Sequence, residues 1–345
     1  MSAQEQYASL YTDLLRTVRE LGLLRRRHRY YYTRLGLVLG SLPIVALGVV
    51  LLGDSWFQLV PAVVLGLVLV QVAFLTHDSA HQQIFHSKAR NEWTARILAG
   101  CVLGMSVNWW RTKHNRHHAA PNQVDKDPDV QLDVLAFTPE AVAKRRPLGR
   151  WFAARQGWLF FPLLTLEGVG LHASSLRHLT RRESSRLDLV VVVTRLIVYV
   201  AALYLLLPPG KATAFLAVQL AVFGVCLGAA FAPNHKGMPI VPAGMKLDFL
   251  RRQVLMSRNV RGGVFTDFAM GGLNYQIEHH LFPSMPRPTL RRVQPIVREY
   301  CELHGVKYTE VGLFTSYGIV VTHLNEVGLG ARDPFQCPLA AQLRG

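Results

Sequence analysis

The sequence predicts an all-α membrane protein: four transmembrane helices in two hairpins, with a helical cap on the cytoplasmic side. Two observations lead to this fold class. Half of the 345 residues are hydrophobic and only 17% are charged, where an ordinary soluble domain carries about a quarter charged. The apolar residues are also gathered into four runs, with long basic stretches between them.

The N-terminal arm, residues 1–34, places Tyr7, Leu10, Leu14 and Leu21 at roughly helical spacing. This predicts a partly amphipathic helix lying at the membrane interface. The first span is Leu35–Gly53, which contains Pro43; the second, Leu59–Leu75, is at the short end of what crosses a bilayer. A short turn joins them, so residues 35–76 form the first hairpin. Residues 77–187 begin the cap. Within them the uncharged stretches Ile97–Trp109 and Gln156–Leu166 are too short to span, and both are expected against the membrane or on the cap. The second hairpin, residues 188–233, holds Leu189–Leu207 and Ala212–Ala232 around a turn at Pro208–Lys211. All four spans must be helical, because lipid cannot satisfy an open backbone. Residues 234–330 complete the cap, and 331–345 read as a loose tail. No internal repeat or low-complexity segment is visible.

Charge orients the hairpins. The formal net charge is +16, and 36 of the 38 Lys and Arg residues lie in the arm, the middle segment and the C-terminal segment. Basic residues collect on the cytoplasmic side. The chain is therefore expected to be integral and multi-pass, with the bilayer as its main partner and both termini and the cap cytoplasmic. The charge follows topology, so no nucleic acid partner is expected. Lys211 sits in a hairpin turn, and Arg195, inside the third run, is expected to reach back to the interface. No secretory signal opens the chain, and Cys101, Cys226, Cys301 and Cys337 are far apart with no CxxC pair, which predicts free thiols.

Fourteen histidines are present, and eight fall in four groups: His77 with His81, His114 with His117 and His118, His235 alone, and His279 with His280. All eight fall on the cytoplasmic side of the topology just derived. Residues three or four apart share a helix face, so His77 and His81 converge, as does His114 with His117 and His118. Adjacent histidines point about 100° apart on a helix, so His117–His118 and His279–His280 serve one ion poorly. Two adjacent pairs point to two neighbouring metals. Eight imidazoles exceed the four ligands of a structural zinc, and no HExxH stands here, since Asp78 follows His77. Haem needs one or two axial histidines, not clusters. Two iron ions (Fe2+/Fe3+) suit the ligand number and the position beside lipid. The remaining histidines stand singly and read as surface or structural residues.

At these residues the chain resembles the membrane fatty acid desaturases. The matching segments are His77-Asp-Ser-Ala-His81, His114-Asn-Arg-His-His118 with Asn108-Trp-Trp before it, Asp127-Pro-Asp129, Ala232-Pro-Asn-His235-Lys-Gly, and Asn274-Tyr-Gln-Ile-Glu-His-His280-Leu-Phe-Pro. Together they cover roughly residues 35–306. The closing box begins with Gln276 where many desaturases have histidine; this Gln-x-x-His-His form is similar to front-end desaturases and bacterial acyl desaturases. The resemblance implies that His235 joins the ligands and that Gln276 is a candidate weak or water-mediated ligand. Asp78, Asn115, Asp127 and Glu278 are the candidates to orient imidazoles through their other ring nitrogen. The implied reaction is oxygen-dependent formation of a cis double bond in a fatty acyl chain, carried by coenzyme A or by a lipid. With the first span near residue 35 there is no room for a fused cytochrome b5 domain, so electrons are expected from an external ferredoxin, flavin reductase or cytochrome b5-type donor. The rivals are a di-iron hydroxylase on the same scaffold, a zinc-dependent membrane hydrolase, and a metal or haem transporter. A transporter needs polar groups inside the spans, where this chain offers mainly Gln71, Gln219 and Arg195.

Overall fold

A computed structural model describes residues 3–131, 134–181 and 184–330, with side chains from residue 10 onward. The expected tail at 331–345, Cys337 and the side chain of Tyr7 lie outside the described residues.

The chain is mostly helical. Helix α1 (Ala3–Glu20) is followed by α2 (His28–Leu52) and α3 (Leu59–Ala80). A one-turn 3-10 segment, Trp56–Gln58, links the last two, capped by the Ser55 hydroxyl. Gln58 donates back to Val49 O and Gly53 O at 2.7 and 2.8 Å, which satisfies carbonyls at the helix end. Helix α4 (Lys88–Ile97), capped by Ser87, runs into a π-helical turn at Leu98–Leu103 that stops at Gly104. Gly104 has φ +77, a left-handed backbone conformation that favours glycine. The stretch Ile97–Trp109 is thus no single helix; it breaks at Gly104, and α5 (Val107–Ala119) begins beyond it. Three short helices come next: α6 (Pro139–Ala143), α7 (Pro147–Ala153) and α8 (Gln156–Leu164). Helix α9 (Glu167–Leu179) bends 75° away from α8. The second hairpin is α10 (Arg186–Leu206) and α11 (Pro209–His235). After it stand α12 (Phe249–Leu255), β1 (Asn259–Arg261), α13 (Val264–Ala269), α14 (Gln276–Leu281), α15 (Arg287–Leu303), β2 (Glu310–Gly312) and α16 (Leu313–Gly328). The two strands pair in parallel, with Val260 opposite Val311. They are a small addition to an otherwise helical chain, and three-residue strands carry too little alternation to be read in advance.

Among the described residues four helices, α2, α3 with its leading turn, α10 and α11, are long and apolar enough to cross a membrane, and the bent α8–α9 pair makes a fifth if it counts as one span. This fits an integral membrane protein. The helices outrun the apolar runs: α3 continues to Ala80 and α11 to His235. His77 and His235 are therefore in the last turns of these helices, not after them. Hydropathy stops at the first polar residue, whereas backbone hydrogen bonding does not.

The chain divides into two compact units. One comprises residues 26–112 and 161–229. Here Val49, Ala62, Leu203, Leu207, Ala212 and Phe215 form one buried cluster at the turn ends of the hairpins. Lys211 in the second turn pairs with Asp54 in the first, so both turns lie at the same end. Elsewhere α2 and α10 leave large apolar side chains exposed, including Ile44, Leu51, Ile197 and Leu205, a surface that lipid accepts and water does not. The Arg195 guanidinium lies over the Tyr199 ring, 4.7 Å from its centroid. At Gly224 of α11 an added Cβ would lie 2.4 Å from Leu164 O, a close backbone approach of the kind small residues permit between membrane helices.

The other unit comprises residues up to 25, 113–160 and from 230 on. Its core joins Leu14 and Val18 of α1 to Leu250 and Val254 of α12, Ile277 and Leu281 of α14, and Val293 and Val297 of α15. The expected interfacial arm is corrected here. Leu10, Tyr11, Leu14, Leu15 and Val18 form the buried or half-buried face of α1, while Leu21 is exposed. Tyr11 donates to Leu281 O at 3.1 Å, and Tyr300 to Leu10 O at 2.9 Å. A stripe read as membrane-facing is the stripe that closes this core, because periodicity identifies a buried face and not what buries it.

Candidate metal centre

In the unit that carries the hairpins, His77 lies in the last turn of α3 and His81 follows at its C-terminal cap. Their ring centroids are 4.6 Å apart, as the four-residue spacing requires. Trp110 lies edge-on to both, at 5.6 Å from the His77 ring and 6.4 Å from the His81 ring. Asp78 is buried, and its Oδ1 is 3.3 Å from His77 Nδ1.

The other unit holds six of the eight clustered histidines, in two groups. His117 on α5, His235 on α11 and His280 on α14 are all buried, and one nitrogen of each lies within 4.8 Å of the others. His117 Nε2 and His235 Nε2 are 3.2 Å apart. Beside them His118 Nε2 is 3.0 Å from His114 Nε2 and 3.1 Å from His279 Nε2. The members of each adjacent pair fall in different groups: the His117 and His118 rings stand at 86°, those of His279 and His280 at 87°.

What aims the first group is the opposite ring nitrogen. His235 Nδ1 donates to Met256 O at 2.9 Å, and His280 Nδ1 to the Gln253 amide oxygen at 2.9 Å. His117 Nδ1 faces Asp127 Oδ2, also at 2.9 Å. Each partner accepts, so each Nδ1 carries a proton and each Nε2 presents its lone pair. Two such lone pairs 3.2 Å apart repel unless a cation lies between them, a proton or a metal ion. This donor set fits a divalent transition metal: neutral imidazoles with the far nitrogen hydrogen-bonded. Imidazole suits iron as well as zinc and copper.

The Asp127 carboxylate is itself fixed. It accepts from the Asn122 backbone N–H at 2.7 Å and the Asp129 N–H at 2.9 Å. Asn122 has φ +55, and its side chain donates to His235 O and Pro239 O, both at 3.1 Å. Burial alone would lower the His117 pKa, but the charge and hydrogen bond of Asp127, with Asp129 behind them, raise it above the usual histidine value. His117 in turn holds Asp127 below the usual carboxylate range against the effect of burial. Asp129 is kept lower still, against its own burial, chiefly by Lys113 at 2.8 Å.

The end of α11 has a second clamp. Arg258 is almost wholly buried, and its guanidinium donates to Pro233 O and, at 3.0 Å, to Lys236 O. Its backbone N–H donates to Asn234 O at 2.8 Å. A cation on terminal helix carbonyls opposes the negative end of the helix dipole. Burial brings its pKa down to about 10, which leaves it charged at neutral pH.

The other sequence-predicted residues divide. Gln276 lies at the first group, its Nε2 2.9 Å from His235 Nε2. Glu278 is buried, but Asn259 and Tyr308 each donate to one of its oxygens at 2.7 Å. Those bonds tie α14 to β1 and to the segment before β2. Burial pushes its pKa up to about 7 against these two bonds. Asn115 is exposed on α5. Sequence reasoning missed Gln253, Asn122, the Met256 carbonyl, Asn234 and Arg258. Only Asn234 had a signal, its place in the Ala-Pro-Asn-His segment; a backbone carbonyl has none.

Comparison with known proteins agrees with the histidine pattern. A family model described as fatty acid desaturase matches residues 54–312. The chain is 30% identical to an acyl-lipid (9-3)-desaturase of Physcomitrium patens, over 93% of this chain and 64% of the relative. It is 30% identical to a Delta(8)-fatty-acid desaturase of Helianthus annuus, over 83% and 66%. It is 28% identical to a Delta 8-(E)-sphingolipid desaturase of Lachancea kluyveri, over 98% and 63%. The chain thus spans about two thirds of the length of these relatives. It belongs to the fatty acid desaturase family.

Proposed function

We propose that this protein is an oxidoreductase that introduces a cis double bond into a fatty acyl chain at two irons held by His77, His81, His114, His117, His118, His235, His279 and His280. The observation that carries the proposal is the convergence of His117, His235 and His280, each with its far nitrogen hydrogen-bonded. The assignment of His77 and His81 rests on their spacing and on the family. When bound, the irons supply the redox chemistry that activates dioxygen. Overall, two vicinal C–H bonds give two electrons and two protons, an external donor gives two more electrons with two protons from solvent, and dioxygen leaves as two waters.

The chain's own residues prepare this centre. Asp127, the Met256 carbonyl and Gln253 fix tautomer and ring direction. Asn122 and Arg258 hold the end of α11, and so the backbone of His235. Asp78 plays the corresponding part for His77. The hairpins give the substrate a lipid environment, and the basic segments favour a site and both termini on the cytoplasmic side. The substrate is an acyl-CoA or an acyl-lipid, and the donor is a ferredoxin, flavin reductase or cytochrome b5-type protein. The relatives' names, spanning acyl-lipid, fatty-acid and sphingolipid desaturases, support the reaction over any one substrate.

The test is expression in cells with a competent donor, with fatty acid profiles read by gas chromatography–mass spectrometry beside a His118→Ala variant. A new unsaturated species that disappears in the variant is expected. An unchanged profile sinks the proposal, and a hydroxylated product in its place assigns the hydroxylase chemistry instead.

A further inference from the structure

We infer that Gln276 faces the metal centre as a hydrogen-bond donor, not as an oxygen ligand, and that Asn234 sets this polarity. The inference rests on the reading of His235 as a metal ligand.

The polarity follows from the ends of a short relay. At one end is Ala230 O, a carbonyl that only accepts; Asn234 Nδ2 lies 3.0 Å from it. The same nitrogen donates its second hydrogen to Gln276 Oε1 at 3.2 Å. Gln276 Nε2 then lies 2.9 Å from His235 Nε2. At this other end His235 also accepts, because its Nδ1 proton is committed to Met256 O. Two amides between two acceptors run in one direction only. Turning Gln276 over would set its NH2 against the NH2 of Asn234, and its oxygen against the His235 lone pair. Turning Asn234 as well would set oxygen against Ala230 O. Asn234, Gln276 and His235 are all buried, so bulk water does not relieve such a mismatch, and buried polar groups without partners are costly.

An amide nitrogen has its lone pair delocalised and does not ligate a divalent ion. In the observed orientation Gln276 is therefore a donor at the His235 lone pair, which His117 Nε2 also faces at 3.2 Å, and it yields that lone pair on metal loading. It then remains beside the centre as a donor. This reverses the expectation from the resemblance, in which Gln276 contributes a weak or water-mediated bond. Asn234 acts through Gln276 and is a positioning residue.

The two roles differ in the sign of their effect on metal affinity, which can be read without turnover. Full-length protein in detergent is stripped with chelator and titrated with cobalt(II), following visible absorption, and thermal melting checks the fold of each variant. Loss of groups that support a metal typically costs about 10–100-fold in affinity. Gln276→Leu and Gln276→Met are expected to bind cobalt(II) as tightly as the parent or more tightly; a fall beyond about threefold in both folded variants, well short of that range, overturns the inference. Asn234→Asp removes the NH2 at the branch point and turns the Gln276 oxygen inward. It is expected to tighten cobalt(II) binding and alter the ligand-field bands, with both changes abolished when Gln276→Leu is added. An unchanged spectrum and affinity in Asn234→Asp overturns the role of Asn234. His235→Ala separates the premise from the inference. Loss of bound cobalt keeps the centre in place whatever Gln276 does, and parent-like binding removes the premise itself.

Discussion

His77 and His81 lie on one helix, and their separation is a property of four residues of sequence. His117, His235 and His280 come from three segments, the first two 118 positions apart. Beside the first pair, Asp78 from the neighbouring position sets its Oδ1 at 3.3 Å from His77 Nδ1. The second set has three separate partners, each at 2.9 Å. Local spacing is enough to bring ligands together. Choosing the tautomer and aiming the lone pair take partners supplied by the fold.

The comparison breaks most directly at the ligands. His117→Ala or His280→Ala is expected to lose bound iron and reduce desaturation to background while the protein still folds, measured by metal analysis, product profile and melting. Full activity in either removes that set from the centre. The next largest effect sharpens the difference between the regions. Asp127→Asn is expected to weaken metal binding about 10–100-fold, the range for such partners, and Asp78→Asn distinctly less, because its contact is longer. Equal losses would mean that the two regions are built alike.

The same carboxylate sets a pH dependence. Metal must displace any proton on His117, whose pKa Asp127 raises. Cobalt(II) affinity is therefore expected to fall as pH drops through that raised value. In Asp127→Asn the His117 pKa is lower, so the fall begins at a more acidic pH. A midpoint that does not move shows that His117 is not the competing site. Packing in the hairpin unit gives a smaller effect of another kind. Gly224→Leu is expected to lower stability by about 1–3 kcal/mol, as overpacking does, with iron per folded chain unchanged. Smallest is Asn115→Ala, expected within about 0.5 kcal/mol in stability, as for an exposed site, with metal affinity unchanged. A marked loss of metal would return Asn115 to the site.

Much of this molecule was legible in its sequence. The four long helices stand where the apolar runs stand, and the hairpin turns meet through Lys211 and Asp54. Asp78 Oδ1 lies 3.3 Å from His77 Nδ1, and Asp127 Oδ2 lies 2.9 Å from His117 Nδ1. The misreadings have physical causes. The stripe on α1 was assigned to the interface because a hydrophobic face does not name its partner. Glu278 was taken for an imidazole partner because of its place beside His279, but on α14 its carboxylate reaches Asn259 and Tyr308. Asn115 was chosen by neighbourhood too, though one step along a helix turns a side chain about 100° from its neighbour.

By itself the sequence determined which segments are helical and apolar, which histidines share a helix face, and that adjacent pairs divide between two groups. Each follows from periodicity and charge, which are local and additive along the chain. Only the tertiary structure decided which nitrogen of each imidazole faces its neighbours, what holds the end of α11, and which end of the Gln276 amide points inward. Those depend on hydrogen-bond partners from distant segments, several of them backbone carbonyls. A carbonyl is identical in every residue, so no reading of side chains announces it.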